Sequence, residues 1–72
     1  MIEITLNGDR TVLSQPLSIR DLFDHLELDP HVVAAEVNRE IVPLAHLGEQ
    51  CLRAGDTVEI VELVGRGRGY LT

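Results

Sequence analysis

A chain of 72 residues can form only one hydrophobic core, because a polypeptide this short buries too little surface to support two. A self-contained enzyme is also disfavoured, since a substrate cleft requires several hundred cubic ångströms of enclosed space. Acidic residues exceed basic residues by six charges, which disfavours nucleic acid and anionic membranes as partners.

The histidines and the cysteine show no metal-binding pattern. His25, His31 and His46 are far apart in sequence, and Cys51 is the only cysteine, so no intramolecular disulfide can form. We expect no metal and no cofactor, and we expect Cys51 to be a small buried or half-buried residue in preference to a nucleophile. No N-terminal stretch is apolar enough for a signal peptide or a membrane span, which predicts a cytoplasmic protein.

The chain begins with the pattern of a β-hairpin. Ile2, Ile4 and Leu6 alternate with polar residues, which predicts a half-buried strand. Asn7-Gly8 follows directly and supplies the positive φ angles of a tight turn. Residues 11–13 should therefore return antiparallel to the first strand.

One amphipathic helix follows the hairpin. Ser18 stands three residues before Asp21, the spacing of an N-cap with an acid in the first turn. The apolar residues then recur at helical spacing, at Ile19, Leu22, Phe23 and Leu26. Asp29-Pro30 should end the helix, and its acidic outer face should be a solvated surface in preference to a docking surface.

Three further segments have the composition of strands. Residues 32–37 are apolar and β-branched, and Asn38-Arg39 separates them from a short strand over residues 40–42. Residues 44–47 could hold one helical turn. Residues 57–64 are apolar at alternating positions of both parities, which predicts a last strand buried on much of both faces.

This order of elements predicts an α+β fold. Pairing the first and last strands in parallel makes the last strand central, and one helix can cover one face of the sheet. The topology is a ubiquitin-like β-grasp, with a mixed sheet of four to five strands covered by one main helix. We expect most of the core to come from Ile4, Leu6, Leu22, Phe23, Leu26, Val33, Ala35, Ile41, Val58 and Ile60.

The C-terminal segment differs from the rest of the chain. All twelve acidic residues precede residue 65, whereas the last eight residues carry Arg66, Arg68 and no acid. We expect a β-grasp domain over residues 1–65 and a flexible Arg/Gly tail over residues 66–72, because the tail offers little apolar area to offset its ordering entropy.

Several segments together resemble the ThiS family of sulfur carrier proteins. The resemblance rests on Asn7-Gly8, on residues 33–43 (VAAEVNREIVP), on residues 54–61 (AGDTVEIV) and on Val64-Gly65. The segment from Glu36 to Pro43 is the most specific, and the resemblance covers residues 2–65.

The resemblance implies that the C-terminal carboxylate is the reactive group of a protein cosubstrate. In this family a ThiF-like adenylyltransferase activates that carboxylate, sulfur converts it to a thiocarboxylate, and a ThiG-like thiazole synthase receives the sulfur for thiamin. No catalytic side chain on the carrier is needed. We expect the free chain to be a monomer.

The tail departs from the family pattern, in which the chain ends in Gly-Gly. Aligning Val64-Gly65 with the family places Arg66 at the penultimate glycine and Gly67 at the terminal one, and five residues follow. The partner-binding tail would then be residues 64–67, with Gly67 as the adenylation site if the tail is processed. Two alternatives stay open: a β-grasp interaction module that is not a carrier, and a carrier similar to the small subunit of molybdopterin synthase.

Overall fold

The computed structural model describes residues 1–63, which form a mixed five-stranded sheet and one main helix. The strands are β1 (Ile2–Leu6), β2 (Asp9–Leu13), β3 (Val33–Val37), β4 (Glu40–Ile41) and β5 (Thr57–Glu62). The helix α1 spans Ile19–Leu26, and a 3-10 turn spans Leu44–His46. No helix in this part of the chain is long and apolar enough to cross a membrane.

The sheet has the strand order β2-β1-β5-β3-β4. Strands β1 and β5 are parallel, with Thr5 beside Thr57, and the other neighbouring strands are antiparallel. β5 is therefore central, as the sequence predicted. The fold is a ubiquitin-like β-grasp of the α+β class.

Both hairpin turns of the sheet use left-handed backbone. Asn7 and Gly8 have φ angles of 50° and 88°, which are the positive values that a two-residue hairpin turn needs. The Asn7 side chain also accepts a hydrogen bond of 2.8 Å from Ile60 N–H, so the first turn is tied to the middle of β5. The sequence predicted the turn but not this second role of Asn7.

The second turn, Asn38-Arg39, has φ angles of 53° and 74° without a glycine. Asn38 offsets this strain with its side chain, because Nδ2 donates to Asp56 Oδ1 and Oδ1 accepts from Thr57 N–H, both at 3.0 Å. The turn between β3 and β4 is thereby tied to the start of β5.

A capping box begins α1. Asp21 N–H donates to Ser18 Oγ at 3.0 Å, and Ser18 N–H donates to Asp21 Oδ2 at 3.3 Å. The helix ends earlier than Asp29-Pro30, because Glu27 adopts the left-handed conformation (φ 58°) and its N–H bonds to helix carbonyls. A turn at Asp29 then leads into β3, which begins at Val33.

The core lies between α1 and one face of the sheet. Six of the predicted core residues are buried, namely Ile4, Leu22, Phe23, Val33, Ala35 and Val58. Leu6 and Ile60 are partly buried against them.

Two predicted core residues are exposed, so those predictions are wrong. Ile41 is 65% exposed because it pairs with Glu36 on the face that the helix does not cover, and the adjacent Val42 is buried in its place. Leu26 is 42% exposed because it is the last helical residue, where the chain turns away at Glu27.

The segment between β4 and β5 completes the core. It contributes the buried residues Val42, Leu47 and Leu52, which the sequence prediction did not include. Backbone hydrogen bonds fix it against the start of the helix, from Arg20 N–H to Leu47 O and from Leu52 N–H to Leu17 O. This segment, whose only helical part among the described residues is the 3-10 turn, is thus held against the start of α1.

Cys51 lies in this segment and is exposed, so the expectation of a buried or half-buried residue is wrong. Its backbone forms a β-bridge with Ser18, and neighbouring side chains along an extended segment point to opposite sides. Leu52 therefore takes the buried position, and the thiol lies at the surface.

The prediction that β5 is buried on both faces is also wrong. Val58 is fully buried under the helix, whereas Val61 on the opposite face is 43% exposed. The reason is that no second layer among residues 1–63 covers that face, which we call the open face. An apolar residue in a central strand is not necessarily packed against its own chain.

Candidate functional site

The predicted site residues Val64, Gly65, Arg66 and Gly67 lie outside the described residues, and so does the predicted flexible tail over residues 66–72. The structure does define where this segment starts. Leu63 N–H donates to Val32 O at 2.8 Å, which continues the β3–β5 pairing past Glu62. The chain therefore enters the tail from a fixed point at the edge of the folded part.

An apolar surface surrounds this point on the open face. Ala34 pairs directly with Val61, and the next pair towards the tail is Val32 with Leu63. Except for the half-buried Ala34, these side chains are exposed. We call these four residues the exit patch. Exposed apolar residues that lie together are typical of a surface that binds a partner.

Two glutamates adjoin the exit patch. Glu36 on β3 and Glu59 on β5 form the next cross-strand pair, and like charges that face each other repel. Within residues 1–63 no ion pair neutralises either carboxylate. A cationic group from a partner would relieve this repulsion, so the surface favours arginine or lysine next to apolar contacts.

An apolar groove of about 370 Å³ opens beside the exit patch and shares Ala34 and Leu63 with it. We call it the exit groove. The segment after β3 supplies its other wall, with Ile41, Val42, Leu44 and Leu47 among the lining residues. Leu44 is 52% exposed there, although it is a large aliphatic side chain. The groove would accommodate apolar side chains.

His31 lines the groove and is hydrogen-bonded to the neighbouring Asp29. His31 donates its backbone N–H to Asp29 Oδ1 at 2.8 Å, and its ring Nδ1 lies 3.2 Å from the same oxygen. The hydrogen bond from the His31 backbone, followed by that from the ring, lowers the pKa of the Asp29 carboxyl. Asp29 therefore keeps its negative charge beside His31.

A polar cavity of about 530 Å³ lies at the opposite end of the sheet, away from the tail. Its lining includes Asn38, Cys51, Arg53 and Asp56. The Asp56 carboxylate already accepts hydrogen bonds from Asn38 Nδ2 and from Arg53 N–H, so it stabilises the turns there. In the part of the chain that the structure describes, no three residues with metal-binding side chains cluster.

The fold defines a small β-grasp protein whose central strand, up to the last described residue Leu63, ends beside an apolar surface. A family model described as the ThiS family matches residues 2–67. The chain belongs to the ThiS family, which confirms the resemblance seen in its motifs.

Two curated relatives are each 32% identical over 66 residues, or 92% of this chain. One is the uncharacterized protein ycf40 of the alga Porphyra purpurea, of which the match covers 93%. The other is a thiazole synthase of Paramagnetospirillum magneticum, and this chain spans only 20% of its length.

The fold matches the crystal structure of the thiamine biosynthesis protein ThiS from Geobacter metallireducens with a TM-score of 0.80 at 23% identity. The match covers 92% of this chain and all of that one. A solution structure from the same organism gives a TM-score of 0.75 at 22% identity. At these identities the likeness establishes the fold.

Proposed function

We propose that this protein is a sulfur carrier of thiamin thiazole biosynthesis, in which a protease hydrolyses the Gly67–Arg68 peptide bond and the freed carboxylate of Gly67 is the reactive group. The observation that carries the proposal is the family match over residues 2–67, which ends at the glycine that the tail alignment selects. In this proposal residues 1–65 form the folded domain, and the tail over residues 66–72 extends from it.

The reaction uses the chain as a cosubstrate and not as an enzyme. Hydrolysis of the Gly67–Arg68 bond first releases residues 68–72 and leaves a carboxylate on Gly67. An oxygen of that carboxylate attacks the α-phosphate of ATP on a ThiF-like adenylyltransferase, and pyrophosphate leaves. A sulfur nucleophile then displaces AMP from the acyl adenylate to give the thiocarboxylate. Glycine suits this position because a residue without Cβ allows the backbone to lie close to the nucleotide.

The folded part supplies position and recognition. Gly67 is the fourth residue after Leu63, so an extended tail would place its carboxylate at most about 13–14 Å beyond Leu63. An adenylyltransferase must therefore dock close to the exit patch, and the paired Glu36 and Glu59 offer its cationic groups a partner.

A ThiG-like thiazole synthase would receive the sulfur. The relative from Paramagnetospirillum magneticum supports this partner, because a segment similar to this chain occupies a fifth of a protein named thiazole synthase. Joining two proteins in one polypeptide raises their effective concentration, which is useful when one acts on the other. We place these reactions in the cytoplasm.

The first prediction concerns adenylation by a ThiF-like enzyme from the same organism. A chain that ends at Gly67 should be adenylated faster than the full chain. The full chain ends in the β-branched Thr72, which hinders its own carboxylate, and its five extra residues would have to fit into the active site of the adenylyltransferase. Arg66→Gly in the shortened chain should accelerate the step further by removing the bulky side chain next to the carboxylate. ATP–pyrophosphate exchange measures both effects.

The controls separate the carrier from an interaction module. Binding of each chain to the adenylyltransferase is measured in parallel, since a module that only docks would bind and give no exchange. Equal exchange for the full and shortened chains would show that the extension is tolerated. No exchange from the Gly67 ending with Arg66→Gly, with binding intact, would refute the carrier function.

A further inference from the structure

The five residues after Gly67 lie beyond the family match and contain two large apolar side chains. They read Arg68-Gly69-Tyr70-Leu71-Thr72, so Tyr70 and Leu71 stand out in a segment of arginine and glycine. The folded part carries an apolar groove next to the point where this segment begins. The extension and the groove are therefore adjacent along the chain and similar in polarity.

We propose that Tyr70 and Leu71 of this chain bind in its own exit groove. The tail sequence alone predicts a flexible segment, and the groove offers Tyr70 and Leu71 the apolar surface that the tail itself lacks. The consequence rests on the proposed function: a bound tail would slow the cleavage after Gly67 that the carrier requires.

The length of the tail permits this contact. Leu63 forms part of the groove, and Tyr70 follows it by seven residues, a span of up to about 23–25 Å when extended. Tyr70 can therefore reach the groove, because the intervening residues are long enough for the chain to reverse its direction. Closing so short a loop carries a modest entropic cost.

The chemistry of the groove fits these two side chains. Ala34, Ile41, Val42, Leu44 and Leu47 present aliphatic surface. A tyrosine ring can pack its apolar face there while its hydroxyl remains beside the polar side chain of His31.

The chain's own tail is a better occupant than a separate molecule. A tethered segment acts at a high effective concentration, so two weakly binding side chains suffice. The groove also shares Ala34 and Leu63 with the exit patch. A bound tail and a docked partner would therefore compete for the same residues, which makes the contact relevant to the proposed function.

The sequence supplies a direct probe of the contact. Tyr70 is the only tyrosine and the chain has no tryptophan, so the tyrosine fluorescence of the intact protein comes from Tyr70 alone. The accessibility of Tyr70 to the quencher acrylamide is compared between the full chain and a peptide of residues 66–72. We expect protection in the full chain.

Substitutions in the groove test whether its residues are what protects Tyr70 from the quencher. Leu44→Ser and Ile41→Ser each remove an exposed apolar side chain from the groove. Each substitution should abolish the protection of Tyr70 from the quencher. Val12→Ser is the matched control, since Val12 is a similarly exposed apolar residue on β2, outside the groove. Circular dichroism confirms that each variant is folded. As a second measurement, the amide resonances of Ala34 and Leu63 should differ between the full chain and one ending at Gly67.

Each outcome decides the proposal. Protection that is lost in both groove variants and kept in Val12→Ser supports it. Tyr70 that is as accessible as in the peptide, or protection that survives both groove variants, overturns it. Protection that disappears on dilution would assign the groove to the tail of a second copy and overturn the intramolecular form. A protected Tyr70 together with an inert Gly67 ending would refute the carrier function and leave this contact standing.

Discussion

The two faces of the sheet contain similar aliphatic side chains, but one face is buried under α1 and the other is exposed. On the face under α1, Val33 pairs with Glu62 near the tail, Ala35 pairs with Ile60, and the aliphatic residues are covered by Leu22 and Phe23. On the open face, Ala34 pairs with Val61, and the valine remains accessible. Adjacent residues of the same strands therefore belong to a core and to a candidate binding surface.

The difference teaches that apolar character in a strand does not reveal which molecule will cover it. A helix of eight residues can cover only one face of this sheet. On the open face, the exposed residues Val32, Val61 and Leu63 lie together at the end of β5, where the proposed function would bring a partner. Substitutions on the two faces should therefore affect different measurements.

The largest effect is expected under the helix. Phe23→Ala should lower the free energy of unfolding by about 3–5 kcal/mol, because it leaves a cavity at a ring that is 1% exposed. Urea denaturation measures this change. Leu26→Ala on the same helix is the matched control. It should lower the free energy of unfolding much less, because the Leu26 side chain is already partly exposed to water. Equal costs would contradict the burial difference between the two positions.

An intermediate effect is expected on the open face, and on binding instead of stability. Val61→Thr keeps the shape and the β-propensity of the side chain, so the free energy of unfolding should change by no more than about 0.5 kcal/mol. Binding to a ThiF-like partner should weaken by about 1–3 kcal/mol if the new hydroxyl is buried without a hydrogen bond.

Isothermal titration calorimetry measures that affinity. Val12→Thr provides the control, because Val12 is on the open face but on β2, with β1 between it and β5. If both valine variants bind as tightly as the unchanged protein, the exit patch is not the docking surface. If only Val12→Thr weakens binding, the partner docks on the other half of the open face.

The smallest effect is expected from charge. Glu59→Gln should slow association with the partner and make its rate less dependent on salt, with a change in affinity of about 0.2–1 kcal/mol. Stopped-flow measurements at several ionic strengths test this. Glu3→Gln is the control, since Glu3 is already paired with Arg10, whose Nε lies 2.6 Å from Glu3 Oε2. An association rate that stays constant with salt would exclude electrostatic steering.

The sequence alone determined the features that depend on neighbouring residues. Asn7-Gly8 specified a hairpin turn through its backbone preferences, and Ser18 with Asp21 specified the start of the helix through two local hydrogen bonds. The order of elements and the apolar last strand then led to the β-grasp topology, and the motifs led to the family. The choice of Gly67 also comes from sequence and stays a prediction, because this residue lies outside residues 1–63.

Only the tertiary structure decided which apolar residues are covered. Ile41 and Val42 have similar side chains, but the pairing of Glu36 with Ile41 places one on the open face and buries the other. The same register joins Ala34 to Val61 and brings Leu63 beside Val32, which are distant in sequence. The exit patch and the exit groove therefore could not be read from local patterns, because strand pairing and the single covering helix create them.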